Sequence, residues 1–134
     1  MEVLCSKILK WSYTSQIFVE FSFLRKLHPI LIISFPGPYS KFRVGASLLL
    51  KSGQIVRGAN VENAAYPVGT CAERTALGTA VVEGARRGDI RALAVATDIS
   101  PPASPCGMCR QYIREFCEVS PEGGPGFKVE KELC

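Results

Sequence analysis

The sequence predicts a small α/β sheet sandwich in which the elements follow one another as β-β-α-β-α. Three observations carry that expectation. FRVGASLLL (42–50) sets Phe42, Val44, Ala46, Leu48 and Leu50 on one side, the two-residue period of a half-buried strand. Ala72, Ala76 and Ala80 recur with Leu77 and Val81 as one apolar stripe at helical spacing. LAVAT (93–97) is a short unbroken apolar run, as expected of a strand buried on both faces.

The connections follow from the residues between. KSGQ (51–54) is a turn, and IVRGANV (55–61) returns as the hairpin partner of the first strand. ENAAYPVGT (62–70) is a loop. Thr70 and Glu73 have the spacing of a capping box, which by itself would only start a helix. EGARRGD (83–89) ends that helix, with Gly84 or Gly88 as the C-cap glycine. After the loop DISPPAS (98–104), the segment SPCGMCRQYIREF (104–116) opens as a second helix. Ser104 is its expected N-cap, Pro105 suits the first helical position, and Cys109, Tyr112, Ile113 and Phe116 share a face. SPEGGPG (120–126) is loop-like. Residues 1–37 read less clearly: IFVEFSFL (17–24) fits both periods, Pro29 is a break, ILIISF (30–35) is β-like and FPGPYS (35–40) is a turn. There is no internal repeat and no low-complexity tract.

Composition narrows the function. The 134 residues suit one domain, and 47% hydrophobic with 21% charged is enough to bury a core. The net charge of +4 is unevenly placed: residues 1–43 carry six Lys/Arg against two Asp/Glu, and residues 44–134 carry ten of each. A neutral body argues against nucleic acid as a partner, because phosphate recognition needs clustered positive charge. No uncharged apolar run approaches the roughly 20 residues needed to span a bilayer, so no membrane partner is expected. The N-terminal apolar region is interrupted by polar residues and lacks a nearby small-residue cleavage site. The chain therefore reads as cytoplasmic, with the nucleus as a second compartment and its thiols reduced.

Six cysteines are present: Cys5, Cys71, Cys106, Cys109, Cys117 and Cys134. Cys106 and Cys109 form a C-x-x-C at the first turn of a helix, where positions i and i+3 share a face. Cys71 opens the other helix. Three thiolates at two helix N-termini supply three corners of a tetrahedron, and a fourth left open is the pattern of a catalytic zinc site. Partial positive charge at a helix N-terminus favours thiolate over thiol. Zinc with three thiolates carries a net negative charge, and Arg74 and Arg110 are the candidate cations to offset it, with a solvated helix face as the plain alternative for each. Glu73 then has a sharper reading than a cap, as a carboxylate that takes a proton from metal-activated water and hands it to a substrate. Cys5, Cys117 and Cys134 have no such assignment. His28, the single histidine, lacks a ligand partner.

C-A-E…P-C-x-x-C is a zinc-deaminase signature with Cys in the usual His position. PYSKFRVGASLL (38–49), GANVENAAYP (58–67), TCAERTAL (70–77) and SPCGMCRQ (104–111) resemble the motif blocks of the cytidine deaminases that act on free nucleosides. The resemblance covers about residues 38–117, in the family's order. It implies a three-layer α/β/α sandwich around a mixed sheet. It also implies a hydrolase that deaminates cytidine or deoxycytidine to uridine or deoxyuridine, in pyrimidine salvage, with one zinc per chain. Cys71, Cys106 and Cys109 would bind the metal, and Glu73 would activate water and protonate the pyrimidine ring nitrogen. Asn60 and Glu62 align with a ribose-binding pair, whose plain alternative is a polar loop capping its own backbone. Phe42 would lie against the pyrimidine, or simply join the core. The Ser104 carbonyl would accept a hydrogen bond from the leaving amino group. Tyr66 would reach a neighbouring subunit, since such enzymes are commonly homotetramers.

The expected organisation is an atypical extension at 1–37, a deaminase core at 38–119 and a short tail at 120–134, with the sandwich incomplete on its C-terminal side. An open edge beside LAVAT would leave unpaired backbone groups, and ILIISF is the segment proposed to cover it. The rival reading is a catalytically impaired isoform or zinc-binding subunit of a deaminase oligomer.

Overall fold

The computed structural model describes residues 8–12, 37–97, 104–116 and 128–131. The elements are β1 (Ile8–Ser12), β2 (Val44–Leu50), β3 (Ile55–Ala59), a 3₁₀ turn (Tyr66–Val68), α1 (Ala72–Val82), β4 (Ile90–Thr97), α2 (Gly107–Phe116) and β5 (Lys128–Lys131). The predicted β-β-α-β-α order is the central run of this series.

The strands form one five-stranded sheet in the order β3-β2-β4-β1-β5. Every described pair is antiparallel, which corrects the expectation of a mixed sheet. The reason lies in the topology. The α1 crossover joins β3 to β4, which run the same way, but β2 lies between them and opposes both. The neighbour on the far side of β4 is β1, and it too runs antiparallel. The edge of the LAVAT strand is thus covered by Ile8–Ser12, within the segment read as an atypical extension. The candidate for that role, ILIISF at 30–35, lies outside the described residues, as does the ambiguous segment at 17–24. β5 falls within the segment expected to be a tail.

The hairpin turn at 51–54 closes as its residues require. The Gly53 N–H donates to the Leu50 carbonyl at 2.9 Å, and Gly53 takes φ 87°, a conformation open to glycine. The register then aligns Val56, Leu48 and Leu93 in one row, and Gly58, Ala46 and Val95 in the next. These rows face both helices. Together with Leu50, Ala72, Ala76, Leu77, Ala80, Cys109 and Ile113 they make the core. The alanine stripe of α1 is therefore buried as its period predicted. Ala92, Ala94, Ala96 and Ser47 are buried on the opposite face, so β4 is apolar on both sides as LAVAT indicated. Both described helices lie on one face, and no described helix covers the other.

α1 ends where the glycine reading placed its stop. Gly84 takes φ 101°. The Ala85 N–H reaches the Ala80 carbonyl at 2.8 Å and the Gly84 N–H reaches the Val81 carbonyl at 3.1 Å, the paired bonds of a Schellman motif. Of the two candidate glycines, Gly84 is the C-cap. Gly88 instead donates to the Phe116 carbonyl at 2.9 Å, tying the approach to β4 to the end of α2.

α1 packs closely against β3 at Gly58. A Cβ on Gly58 would stand 2.3 Å from the Ala76 nitrogen and 2.6 Å from the Ala72 carbonyl oxygen. These are backbone atoms of α1, so relief requires the helix to move off the sheet. Gly58→Ala is expected to lower stability by about 1–3 kcal/mol through overpacking. Gly78, also in α1, has no atom within 4 Å of the position a Cβ would take. Gly78→Ala is expected to raise stability by about 0.4–1 kcal/mol by restricting the unfolded chain. Thermal melts of the two variants should move in opposite directions.

Candidate active site

The α1 N-terminus is seated by two backbone contacts. Val61 and Thr70 form an antiparallel bridge, with N–H···O distances of 2.8 and 2.9 Å in the two directions. That bridge folds loop 60–70 back and delivers Cys71 as the N-cap of α1, at φ −70° and ψ 153°. No side chain caps this end, and Glu73 lies in the first turn, buried to 4% exposure. This corrects the capping-box reading. With Cys71 rather than Thr70 at the cap, Glu73 stands one position short of where a box needs its acid.

The second helix starts later than its proline suggested. The Cys106 carbonyl accepts the Arg110 N–H at 2.9 Å and the Cys106 sulfur accepts the Cys109 N–H at 3.4 Å. Cys106 is therefore the cap, in place of Ser104, and Pro105 lies before the helix. Cys109 is one turn in and fully buried.

The two caps face each other. Cys71 Sγ and Cys106 Sγ are 3.9 Å apart, and the three sulfurs of Cys71, Cys106 and Cys109 all lie within 4.8 Å of one another. Zn–S bonds of about 2.3 Å in tetrahedral geometry imply sulfur separations of about 3.8 Å. The donor set fits zinc in chemistry and in spacing. Among the described residues this is the one His/Cys/Asp/Glu group with that arrangement.

The thiols differ in their surroundings. Burial, then the charge of Glu73, pushes the Cys109 thiol up. The Cys109 N–H donated to Cys106 pulls that thiol down. A bound dication would draw all three to thiolates. Of the two arginines considered, Arg74 meets the sulfurs: its Nη2 is 3.7 Å from Cys71 Sγ. That contact, reinforced by Cys109, holds the guanidinium in its charged form. Arg74 Nε is buried without a hydrogen-bond partner. Arg110 points elsewhere, with its Nε donating to the Pro105 carbonyl at 3.0 Å.

A pocket of about 420 Å³ opens above the sulfurs. Phe42, Asn60, Glu62, Cys71, Glu73, Ser104 and Cys106 all line it. Every predicted site residue except Cys109 thus shares one cavity, and Cys109 joins it through the sulfur cluster. The volume lies in the range of small-ligand sites.

Asn60 and Glu62 are engaged with the chain itself. Asn60 Oδ1 accepts the Val44 N–H and its Nδ2 donates to the Phe42 carbonyl, both at 2.9 Å. Glu62 Oε2 accepts the Tyr39 N–H at 2.9 Å, and Glu62 Oε1 accepts the Ser40 hydroxyl. The Ser40 hydroxyl first, then the Tyr39 N–H, hold the Glu62 carboxyl below its ordinary range. Each side chain keeps hydrogen-bonding capacity toward the cavity. The sequence reading missed Ser40 and Thr97. Thr97 is 1% exposed and lines the pocket at the end of β4. A threonine closing an otherwise apolar strand was the available signal for it.

A profile described as the cytidine and deoxycytidylate deaminase zinc-binding region matches residues 25–120. The chain belongs to that family. A cytidine deaminase of Halalkalibacterium halodurans is 55% identical over 80 residues, covering 60% of this chain and 59% of that protein. One of Sporosarcina psychrophila is 55% identical over 83 residues, 62% of this chain and 60% of its own. The chain therefore spans about three fifths of the length of these curated relatives. The crystal structure of a cytidine deaminase from Burkholderia pseudomallei superposes with a TM-score of 0.68 at 41% identity, over 72% of this chain and 76% of that one. The Mycobacterium leprae cytidine deaminase structure does so at 0.67 and 29% identity, over 84% and 93%.

Family membership and donor geometry together predict metal content. The purified chain should hold about one zinc by elemental analysis, and Cys109→Ala should lose it. A strong chelator should lower the melting temperature of the native chain, because the metal ties α1 to α2.

Proposed function

We propose that the chain is a zinc-dependent hydrolase converting cytidine or deoxycytidine, with water, to uridine or deoxyuridine and ammonia. The observation that carries this reading is the buried Glu73 carboxylate beside three converging thiols at the base of a nucleoside-sized cavity. The names of the relatives support the substrate class.

Zinc, when bound by Cys71, Cys106 and Cys109, supplies Lewis acidity that makes water a nucleophile near neutral pH. The chain's own residues do the rest. Glu73 takes a proton from the attacking water and delivers it to the pyrimidine ring nitrogen as the oxygen adds to C4. Glu73 then passes the proton of the new C4 hydroxyl to the amino group, the C–N bond breaks as the C4 carbonyl forms, and the group leaves as ammonia with the Ser104 carbonyl accepting its hydrogen bond. Phe42 packs on the ring face. Asn60 and Glu62 offer their remaining capacity to the ribose hydroxyls. Arg74 balances the charge of the sulfurs.

The compartment in this reading is cytoplasmic, the role is pyrimidine salvage and the assembly is a homotetramer. Tyr66, Val68, Val61 and Met108 are each more than half exposed, and Val61, Tyr66 and Met108 also line the pocket. Apolar surface of that kind beside a cavity suits a second copy of the chain.

The test is direct. Zinc-loaded protein incubated with cytidine should release ammonia and shift the ultraviolet absorbance. Glu73→Gln should reduce turnover by at least about 100-fold while retaining zinc. Zinc binding by the wild-type chain without turnover would favour the zinc-binding subunit instead.

A further inference from the structure

The loop before β2 is organised around one hydroxyl. Ser40 Oγ donates to Glu62 Oε1 and accepts the Phe42 N–H at 3.0 Å. Glu62 Oε2 also takes the Ser40 N–H at 3.4 Å. Between Ser40 and Phe42 lies Lys41, at φ 55° the non-glycine residue with a positive φ among those described. Its N–H donates to the Gly37 carbonyl at 3.0 Å. Such a backbone state persists where the surroundings fix it. Here the residue on either side is bonded, Ser40 to Glu62 and the Phe42 carbonyl to Asn60.

We infer that Ser40 is a positioning residue for nucleoside binding: its hydroxyl holds the Glu62 carboxylate and the Phe42 backbone in one arrangement at the pocket mouth. The inference rests on the proposed function. Its physical basis is that the site needs a group that donates on one side and accepts on the other. A hydroxyl does both, and an alanine methyl does neither. Glu62 is only partly buried and has two rotatable bonds beyond Cβ. Without the hydroxyl it samples water-facing rotamers, and fixing it again falls on the binding step. The low range in which the carboxyl is held agrees with Ser40 as its main donor. Glu73 and the cysteines belong to the starts of α1 and α2, whereas the Ser40 hydroxyl bonds to Glu62 and Phe42. The effect should therefore fall on binding and leave the chemical step alone.

The experiment compares wild type, Ser40→Ala and Ser40→Thr as zinc-loaded chains. Steady-state kinetics with cytidine and calorimetric titration with uridine are read together. Ser40→Ala should raise KM for cytidine and Kd for uridine about tenfold, the loss expected for a hydrogen bond to a charged group. Its kcat should stay within about twofold of wild type, and Ser40→Thr should restore both binding constants. Wild-type turnover with unchanged constants in Ser40→Ala overturns the inference alone. A fall in kcat at constant KM also overturns it. A wild-type chain that neither turns over cytidine nor binds uridine overturns the proposed function and the inference with it.

Discussion

The close approach of α1 to the sheet at Gly58 governs the rest of the structure. The row Gly58, Ala46 and Val95 is small where the helix crosses it, and α1 answers with Ala72 and Ala76. Small residues on both surfaces bring the helix axis down onto the strands. Its N-terminus, and with it Cys71 and Glu73, therefore sits at the depth of the sheet. A carboxylate buried to that degree is costly unless compensated. The N-terminal position supplies part of the compensation, because unpaired N–H groups and the helix dipole favour negative charge there. The packing that buries Glu73 and the electrostatics that tolerate it have the same origin.

The sulfur cluster extends this logic to the second helix. Cys71 comes from one helix start, and Cys106 and Cys109 from the other. Burial pushes the Cys109 thiol up, while the N–H of Cys109 draws the Cys106 thiol below its ordinary range. A dication at this junction joins elements that otherwise meet through few side chains, so metal binding and folding are linked. Arg74 adds positive charge from the α1 side, with its Nη2 against the Cys71 sulfur.

Regular periodicity made the core legible in the sequence. The alanine stripe of α1 reports burial directly and both faces of β4 follow from its unbroken apolar run, whereas the alternation in β2 marks its core-side residues but not the burial of Gly45 and Ser47 on the other face. The sulfur cluster was legible because ligand spacing is a chemical constraint that survives without coordinates. The caps were less so. Thr70–Glu73 and Ser104–Pro105 are both sound local signals, yet at each helix a cysteine holds the cap position. Local rules assign caps by side-chain oxygen, and here the cap residues are sulfur-bearing. Ser40 was invisible for a related reason. Its partners are 22 positions away in Glu62 and two away in Phe42, and only the fold sets both against one hydroxyl.

The edge of β4 shows where residue pattern carries no information at all. A strand edge is satisfied by any extended backbone that reaches it, because the bonds run through N–H and C=O groups rather than side chains. ILIISF was the natural candidate by apolar content. Ile8–Ser12 occupies the place instead, in register from Ile8 opposite Ala96 to Ser12 opposite Ala92. The central strands are chosen by what their side chains bury, and their sequence states it. An added strand is chosen by what its backbone completes, so its identity depends on chain path and loop length. Ala92, Ala94 and Ala96 on the far face of β4 are small, which leaves the neighbouring strand free of any demand for a matching large residue. The sequence specifies that the edge of β4 must be covered; the connectivity decides which segment covers it.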